Sequence, residues 1–308
     1  MSSQSAVHFA CSSDRNYLDA MVATVTAVCR KLPTRVHPIF HFVDCGVPED
    51  DAARALNCLS RHFPRLEIVT HSVAPARFAH WPDYSVAHIV KAVYTRLFFD
   101  EFLAGVPRCV YLDTDVVVDA DISELYATPL DGHCVGAVLS DTRPQLKDYP
   151  AIAPHLPAGI TATAPAFNAG VMLLDVERIR AEGAMERVRS IAGGLKGKCG
   201  DQALLNLGFP DRWIPIAKCW NRQVFLTPAF SIHRTAPNTL WHVIGGLKPW
   251  QVDRATAHGL VASFYDHLEY VGWTPDPRST VRIRSPRWRE FAKAGYATLA
   301  RNLPVLRR

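Results

Sequence analysis

The feature that most restricts how this chain can fold is an alternation: short β-branched and aromatic runs take turns with segments whose apolar residues recur at helical spacing. Val7-His8-Phe9-Ala10-Cys11 reads as a strand, and Asp19 to Lys31 then places Met21, Val22, Val25 and Val28 on one side of a helix. Val36 to Val43 is a second strand. Pro48-Glu49-Asp50-Asp51 is a helix start, with acids at the positive end of the dipole. Leu66-Glu67-Ile68-Val69 is a third strand. Val90 to Phe102 predicts a helix with Val93, Leu97 and Phe98 on one side, and Arg108-Cys109-Val110-Tyr111-Leu112 is a fourth strand that runs into Asp113. Units of this kind predict an α/β fold, a mostly parallel sheet flanked by helices on both faces. Ligands of such sheets gather beyond the carboxyl ends of the strands, which brings Cys11 to Tyr17 and Asp113 to Asp115 to one rim.

The chain has 308 residues, 48% of them hydrophobic, enough for one large core or one core with a small appendage. With 20% charged residues it is not of disordered composition. A net charge of +5 fits an anionic ligand or surface without selecting one. None of the eight cysteines sits in a Cys-x-x-Cys pair, so they read as reduced, buried small hydrophobes rather than zinc ligands or disulfides. No signal peptide is expected from the start of the chain, and no run of about 18 apolar residues suggests a membrane span. The expected location is therefore cytoplasmic.

Two segments differ in texture. Arg143 to Ala166 holds five prolines (Pro144, Pro150, Pro154, Pro157 and Pro165) with weak periodicity, and a loop of that length is more often functional than idle. Residues 277–308 form a basic tail after a main unit spanning 1–276. Its only acid is Glu290, while Trp288, Phe291, Tyr296, Leu299 and Leu303 recur roughly on one side of a helix flanked by Arg287, Arg289, Lys293 and Arg301. Such a helix suits the anionic cytoplasmic face of a membrane, the inner membrane if the cell is bacterial; packing on the main unit is the alternative. No nucleic-acid motif accompanies the charge.

Four motifs carry chemistry. Asp113-Thr114-Asp115 ends an apolar strand and precedes Val116-Val117-Val118; paired hard oxygens there suit a divalent cation, though a solvated turn or a helix cap reads the same. Phe167-Asn168-Ala169-Gly170 opens an apolar strand with an amide able to meet a sugar hydroxyl, or is a β-turn. Gly200-Asp201-Gln202 sets acid beside amide, or supplies a helix N-cap. Trp241-His242-Val243-Ile244-Gly245-Gly246-Leu247-Lys248-Pro249-Trp250 offers an imidazole for a metal, a glycine for close approach and a lysine for phosphate, although a lone His beside Trp also suits a core.

Together, and in this order, the four motifs resemble the retaining glycosyltransferases of family 8, over roughly residues 6 to 252. The resemblance implies a GT-A (Rossmann-like) fold, a UDP-sugar donor such as UDP-glucose or UDP-galactose, Mn²⁺ or Mg²⁺, and a saccharide or lipid-linked saccharide acceptor, for example lipopolysaccharide. It implies that Asp113, Asp115 and His242 are metal ligands. It gives Ala10, Asp14, Asn16, Tyr17, Thr114, Gly245 and Lys248 to the nucleotide, the last two to its diphosphate. His88, Arg96, Asn168, Ala169, Asp201 and Gln202 fall to the donor sugar, with Gln202 and Asp201 nearest the reaction. The first motif departs from the family pattern: Ala10-Cys11-Ser12-Ser13-Asp14-Arg15-Asn16-Tyr17 is longer and more polar, and Arg15 stands where a second acid is usual.

Retention needs front-face attack or a double displacement, for which Asp201 is the one candidate nucleophile; front-face attack is the preferred expectation. Two other classes compete. A sugar-phosphate nucleotidyltransferase would carry a Gly-rich basic loop after the first strand, and Cys11 to Tyr17 contains no glycine. A non-catalytic carbohydrate-binding protein would not need Asp113, Asp115, His242 and Gln202 together.

Overall fold

The structure is a computed structural model that describes residues 5–82, 91–195, 199–226 and 237–276. The basic tail 277–308 lies outside the described residues. The first three strands are β1 (Ser5–Ser13), β2 (Val36–Asp44) and β3 (Glu67–Ser72). The next four are β4 (Arg108–Leu112), β5 (Val116–Val118), β6 (Val135–Leu139) and β7 (Phe167–Asp175). Then come β8 (Trp213–Pro215), β9 (Arg222–Phe225) and β10 (Leu240–Ile244).

Seven of them form one sheet in the order β3-β2-β1-β4-β7-β6-β8. The pairs β1–β2, β2–β3, β1–β4 and β6–β8 are parallel, and β7 alone runs against its neighbours β4 and β6. The sheet is thus mostly parallel, as the alternation predicts. Its two faces bury opposite side chains of the same strand: Val110 and Leu112 join one cluster, Cys109 and Tyr111 the other. Burial on both faces is why these strands read as continuous apolar runs.

A second sheet, β5-β10-β9, begins where the chain leaves β4. Only Asp113, Thr114 and Asp115 separate β4 from β5, so the acid pair sits at the junction of the two sheets. β10 runs antiparallel to β5 with His242 opposite Val116, which sets the imidazole beside that junction.

The helix Leu18–Lys31 contains the expected apolar face and more. Every residue from Leu18 to Val28 is buried, because the sheets lie on one side and the helix Gly259–Tyr270 on the other. The helix Glu49–His62 starts on Pro48 with three acids in its first turn and ends on Arg61 and His62, an arrangement that complements the dipole at both ends.

The expected helix over Val90 to Phe102 takes a different form, a 3₁₀ stretch Lys91–Phe98 followed by one α-turn, Phe99–Phe102. Every residue from Tyr94 to Phe99 is buried, so the stretch has no exposed face from which a period could be read. The Pro-rich segment is anchored by buried Leu146, Tyr149 and Ile152 and closed by a bridge between Gln145 and Pro165. The segment thus packs against the main unit as a wall beside the sheet.

Candidate active site

The structure brings Asp113, Asp115 and His242 to one point, with one ligand atom from each lying within 4.8 Å of the others. His242 Nε2 stands 3.3 Å from Asp115 Oδ1 and 3.9 Å from Asp113 Oδ2. The proton on this imidazole can be placed from its neighbours. The backbone N–H of Gly170 donates to Asn168 Oδ1 at 3.0 Å, so that atom is an acceptor. His242 Nδ1 lies 3.0 Å from the same oxygen and 3.0 Å from Asn221 Oδ1, and therefore carries the hydrogen. Nε2 is left to face Asp115 Oδ1, a buried oxygen that accepts no other hydrogen bond. The two atoms stand 3.3 Å apart, a gap that either a proton on Nε2 or a metal cation between them satisfies. The donor set, two carboxylates and an imidazole, fits a divalent ion such as Mn²⁺ or Mg²⁺.

Lys248 closes the other side of Asp115. Its buried Nζ donates to Asp115 Oδ2 at 2.5 Å and to the Val243 carbonyl at 2.7 Å. Burial alone would push the Asp115 carboxyl up, but Lys248 and His242 beside it hold it well below the usual carboxylate range. The acid is therefore ionised at any working pH.

Arg96, in the 3₁₀ stretch Lys91–Phe98, joins this centre to the second acid. Its guanidinium meets Asp113 Oδ1 at 2.6 Å and Asp201 Oδ2 at 3.0 Å. It also lies 4.9 Å from the centroid of the Tyr111 ring, whose hydroxyl donates to Asp113 Oδ1 at 2.9 Å. Asp201 is pushed up by burial and by the nearby Asp113, against the pull of Arg96. It is not the helix cap, since Gly200 occupies that position and Asp201 opens the helix Asp201–Gly208.

Asn168 lies inside β7 rather than in a β-turn, at a shift in register between β6 and β7. Its Nδ2 donates to Gln202 Oε1 at 3.2 Å, and the Ala169 backbone N–H donates to the same oxygen at 3.2 Å. The Gln202 amide is thereby oriented, and its Nε2 donates to the hydroxyl of Tyr149 in the Pro-rich wall.

The nucleotide-segment residues lie at the same rim. Ala10 pairs with Tyr111 across β1 and β4. Asp14 Oδ1 accepts from the backbone of Asn16 and Tyr17 and so caps the turn Arg15–Tyr17. The Tyr17 phenol is raised chiefly by burial, then by the charges of Asp115, Asp14 and Asp113. Its ring packs edge-on against Trp250. Thr114 is buried, and its carbonyl accepts from Thr24 Oγ1 at 3.1 Å. Gly245 has φ +88°, a conformation that favours glycine, and a Cβ there would also stand 2.9 Å from the Phe225 ring. Arg15 turns away from the rim to pair with Asp51 at 3.1 Å and Asp276 at 3.2 Å. His88 lies outside the described residues.

Asn221, Tyr149 and the contact between Tyr111 and Asp113 lie outside the expectations drawn from the sequence. Asn221 had a faint signal, a lone amide between Trp220 and a strand; Tyr149 had none, being one aromatic in an aperiodic stretch.

Known proteins share this fold. The galactosyltransferase LgtC, solved in complex with donor and acceptor sugar analogs, superposes with a TM-score of 0.67 at 23% identity, over 92% of this chain and 99% of that one. At that identity the likeness speaks for the fold. General stress protein A of Bacillus subtilis (strain 168) is 23% identical over 285 residues, 87% of this chain and 94% of that protein. Probable galacturonosyltransferase-like 10 of Arabidopsis thaliana is 27% identical over 267 residues, 80% of this chain and 71% of that protein. The family profile described as Glycosyl transferase family 8 matches residues 8–254, and the chain belongs to that family of glycosyltransferases.

Proposed function

We propose that this protein transfers a hexose, glucose or galactose, from its UDP-sugar to a saccharide acceptor, such as lipopolysaccharide or another glycoconjugate, with retention of anomeric configuration. The observation that carries the reading is the convergence of one ligand atom each from Asp113, Asp115 and His242 within 4.8 Å, with Lys248 on the far side of Asp115. Asp113, Asp115 and His242 would hold the divalent ion, which when bound would neutralise charge on the departing diphosphate. Lys248, ion-paired to Asp115, is placed to turn to a phosphate oxygen as a point charge. Gly245 would let the backbone approach that diphosphate. Ala10, Asp14, Asn16, Tyr17 and Thr114 would line the nucleotide.

On the sugar side, Arg96 and Asp201 form a buried ion pair suited to orienting hydroxyls, and Asn168 and Ala169 hold Gln202 at the reacting face. Asp201 is a poor candidate for a nucleophile, because Arg96 engages Oδ2 at 3.0 Å. Front-face attack, with Gln202 as a fixed dipole beside the electron-poor anomeric carbon, therefore remains the preferred route. The basic tail would bring the enzyme to the cytoplasmic face of a membrane that carries a lipid-linked acceptor. The test is incubation with UDP-glucose and UDP-galactose in the presence of Mn²⁺, following UDP release and the anomer formed by proton NMR. An α-configured first product from either α-linked donor supports the reading. Release from neither donor, or an inverted product, removes it.

A further inference from the structure

Asn221 is wholly buried, ends the 3₁₀ turn Lys218–Asn221, and belongs to none of the four motifs. Its Nδ2 donates to Asn168 Oδ1 at 2.8 Å, and its Oδ1 stands 3.0 Å from His242 Nδ1. The orientation of this amide follows from one backbone group. The Gly170 N–H makes Asn168 Oδ1 an acceptor, so the Asn221 atom facing it is the nitrogen. The Asn221 oxygen is then turned to the imidazole.

We propose that Asn221 is a positioning residue for the metal centre: with Asn168 it clasps the Nδ1–H of His242 and so presents the Nε2 lone pair to the ion. The inference rests on the reading of Asp113, Asp115 and His242 as a divalent-metal site. Without the clasp an imidazole in this place would take the opposite tautomer. Its Nε2–H could donate to Asp115 Oδ1, 3.3 Å away, leaving no lone pair for a metal. The two asparagine oxygens block that state, because both would then face a bare Nδ1. Asn168 cannot do this alone. The two lone pairs of its Oδ1 are taken by the Gly170 N–H and by Asn221 Nδ2, and its own Nδ2 is committed to Gln202. Asn221 supplies the second acceptor and, through its Nδ2, fixes the rotamer of the first. Partners of this kind behind a ligating histidine typically change metal affinity by about 10–100-fold.

Two measurements test this, neither of them a rate. Long-range ¹H–¹⁵N spectra of the metal-free full-length protein, recorded at alkaline pH where the ring is neutral, should show His242 as the Nδ1–H tautomer. In Asn221→Ala the resonance should move toward Nε2–H. In Asn221→Asp the carboxylate still accepts from Nδ1, although the donor to Asn168 is lost, and the Nδ1–H form should stay; Asn221→Leu, which fills the same place without an acceptor, should move it as alanine does and covers the case in which the alanine protein fails to fold. Calorimetric titration of Mn²⁺ in saturating UDP should give roughly 10–100-fold weaker binding for Asn221→Ala. In a His242→Ala background, adding Asn221→Ala should change what binding remains by no more than about two-fold, since the clasp would have nothing to hold. The proposal is overturned by an Nε2–H tautomer in the wild type, or by wild-type tautomer and affinity in Asn221→Ala. It is overturned equally by a loss that persists undiminished without His242, which would mark Asn221 as structural. A wild-type protein that shows the Nδ1–H tautomer yet binds no Mn²⁺ would instead overturn the metal reading itself.

Discussion

A missing methyl group decides where His242 can sit. A Cβ on Gly170 would stand 2.1 Å from Cε1, 2.5 Å from Nδ1 and 2.8 Å from Nε2 of that ring, far inside any tolerable contact. The glycine is needed for space, so Gly170→Ala should push the imidazole off the acid pair. Its Mn²⁺ affinity in the presence of UDP should fall by at least about ten-fold. A calorimetric titration of that variant matching the wild type would show that the ring is not held as described. The acid pair and His242 were legible in the sequence because ligand chemistry demands particular side chains at particular spacings. The groups that hold them were less so. Asn221 lies 21 residues from His242, and Tyr149 lies 53 residues from Gln202. Contacts of that range are made by the fold, and no local pattern announces them.

Among the elements, the edge of the main sheet carries a ladder of imidazoles. His8 on β1, His41 on β2 and His71 on β3 are joined by nitrogen–nitrogen contacts of 2.9 Å, with the rings stacked at 5.2 and 5.1 Å. Burial, and then the neighbouring rings, push His41 down to about 3, and burial also lowers His8 and His71. The folded chain therefore holds these rings neutral at pH values where the unfolded chain protonates them. The His41 contribution is full above about pH 6.5 and is lost as pH falls from there toward 3, by up to about 1.4 kcal/mol per pH unit. Urea denaturation at pH 7.5 and at pH 5 should show the wild type weaker at pH 5, and His41→Leu should flatten the difference. An equal pH dependence in the variant would contradict this. The helix Glu49–His62 was readable because its apolar face repeats, and the central strands because burial on both faces makes them continuous apolar runs. The antiparallel sense of β7 was not, since a strand buried on both faces looks alike in either direction. The 3₁₀ form of Lys91–Phe98 was hidden for the same reason.

At the scale of the whole molecule, both sheets meet at Asp113 to Asp115, so the site depends on the complete main unit and not on one motif. The C-terminal end of the described chain is tied into that unit. Trp273 Nε1 donates to Asp19 Oδ1 at 2.7 Å, the Asp276 backbone N–H donates to Asp19 Oδ2 at 3.1 Å, and Arg15 pairs with the Asp276 carboxylate. A truncation after Asp276 keeps all three contacts. It should still release UDP from its donor but lose flotation with anionic vesicles at low salt, where several basic residues each contribute about 1 kcal/mol. Equal flotation of the truncated and full-length proteins would contradict the membrane role of the tail. No helix among the described residues is long and apolar enough to cross a membrane. The central claim, metal-dependent transfer from a UDP-sugar, is tested most directly by UDP release in Mn²⁺, with and without EDTA, in the wild type and in Asp115→Asn. The account predicts release by the wild type, its loss in EDTA, and a fall of at least about 100-fold in folded Asp115→Asn, where metal stabilisation worth several kcal/mol is removed. Release that survives EDTA, or full activity in Asp115→Asn, would contradict it.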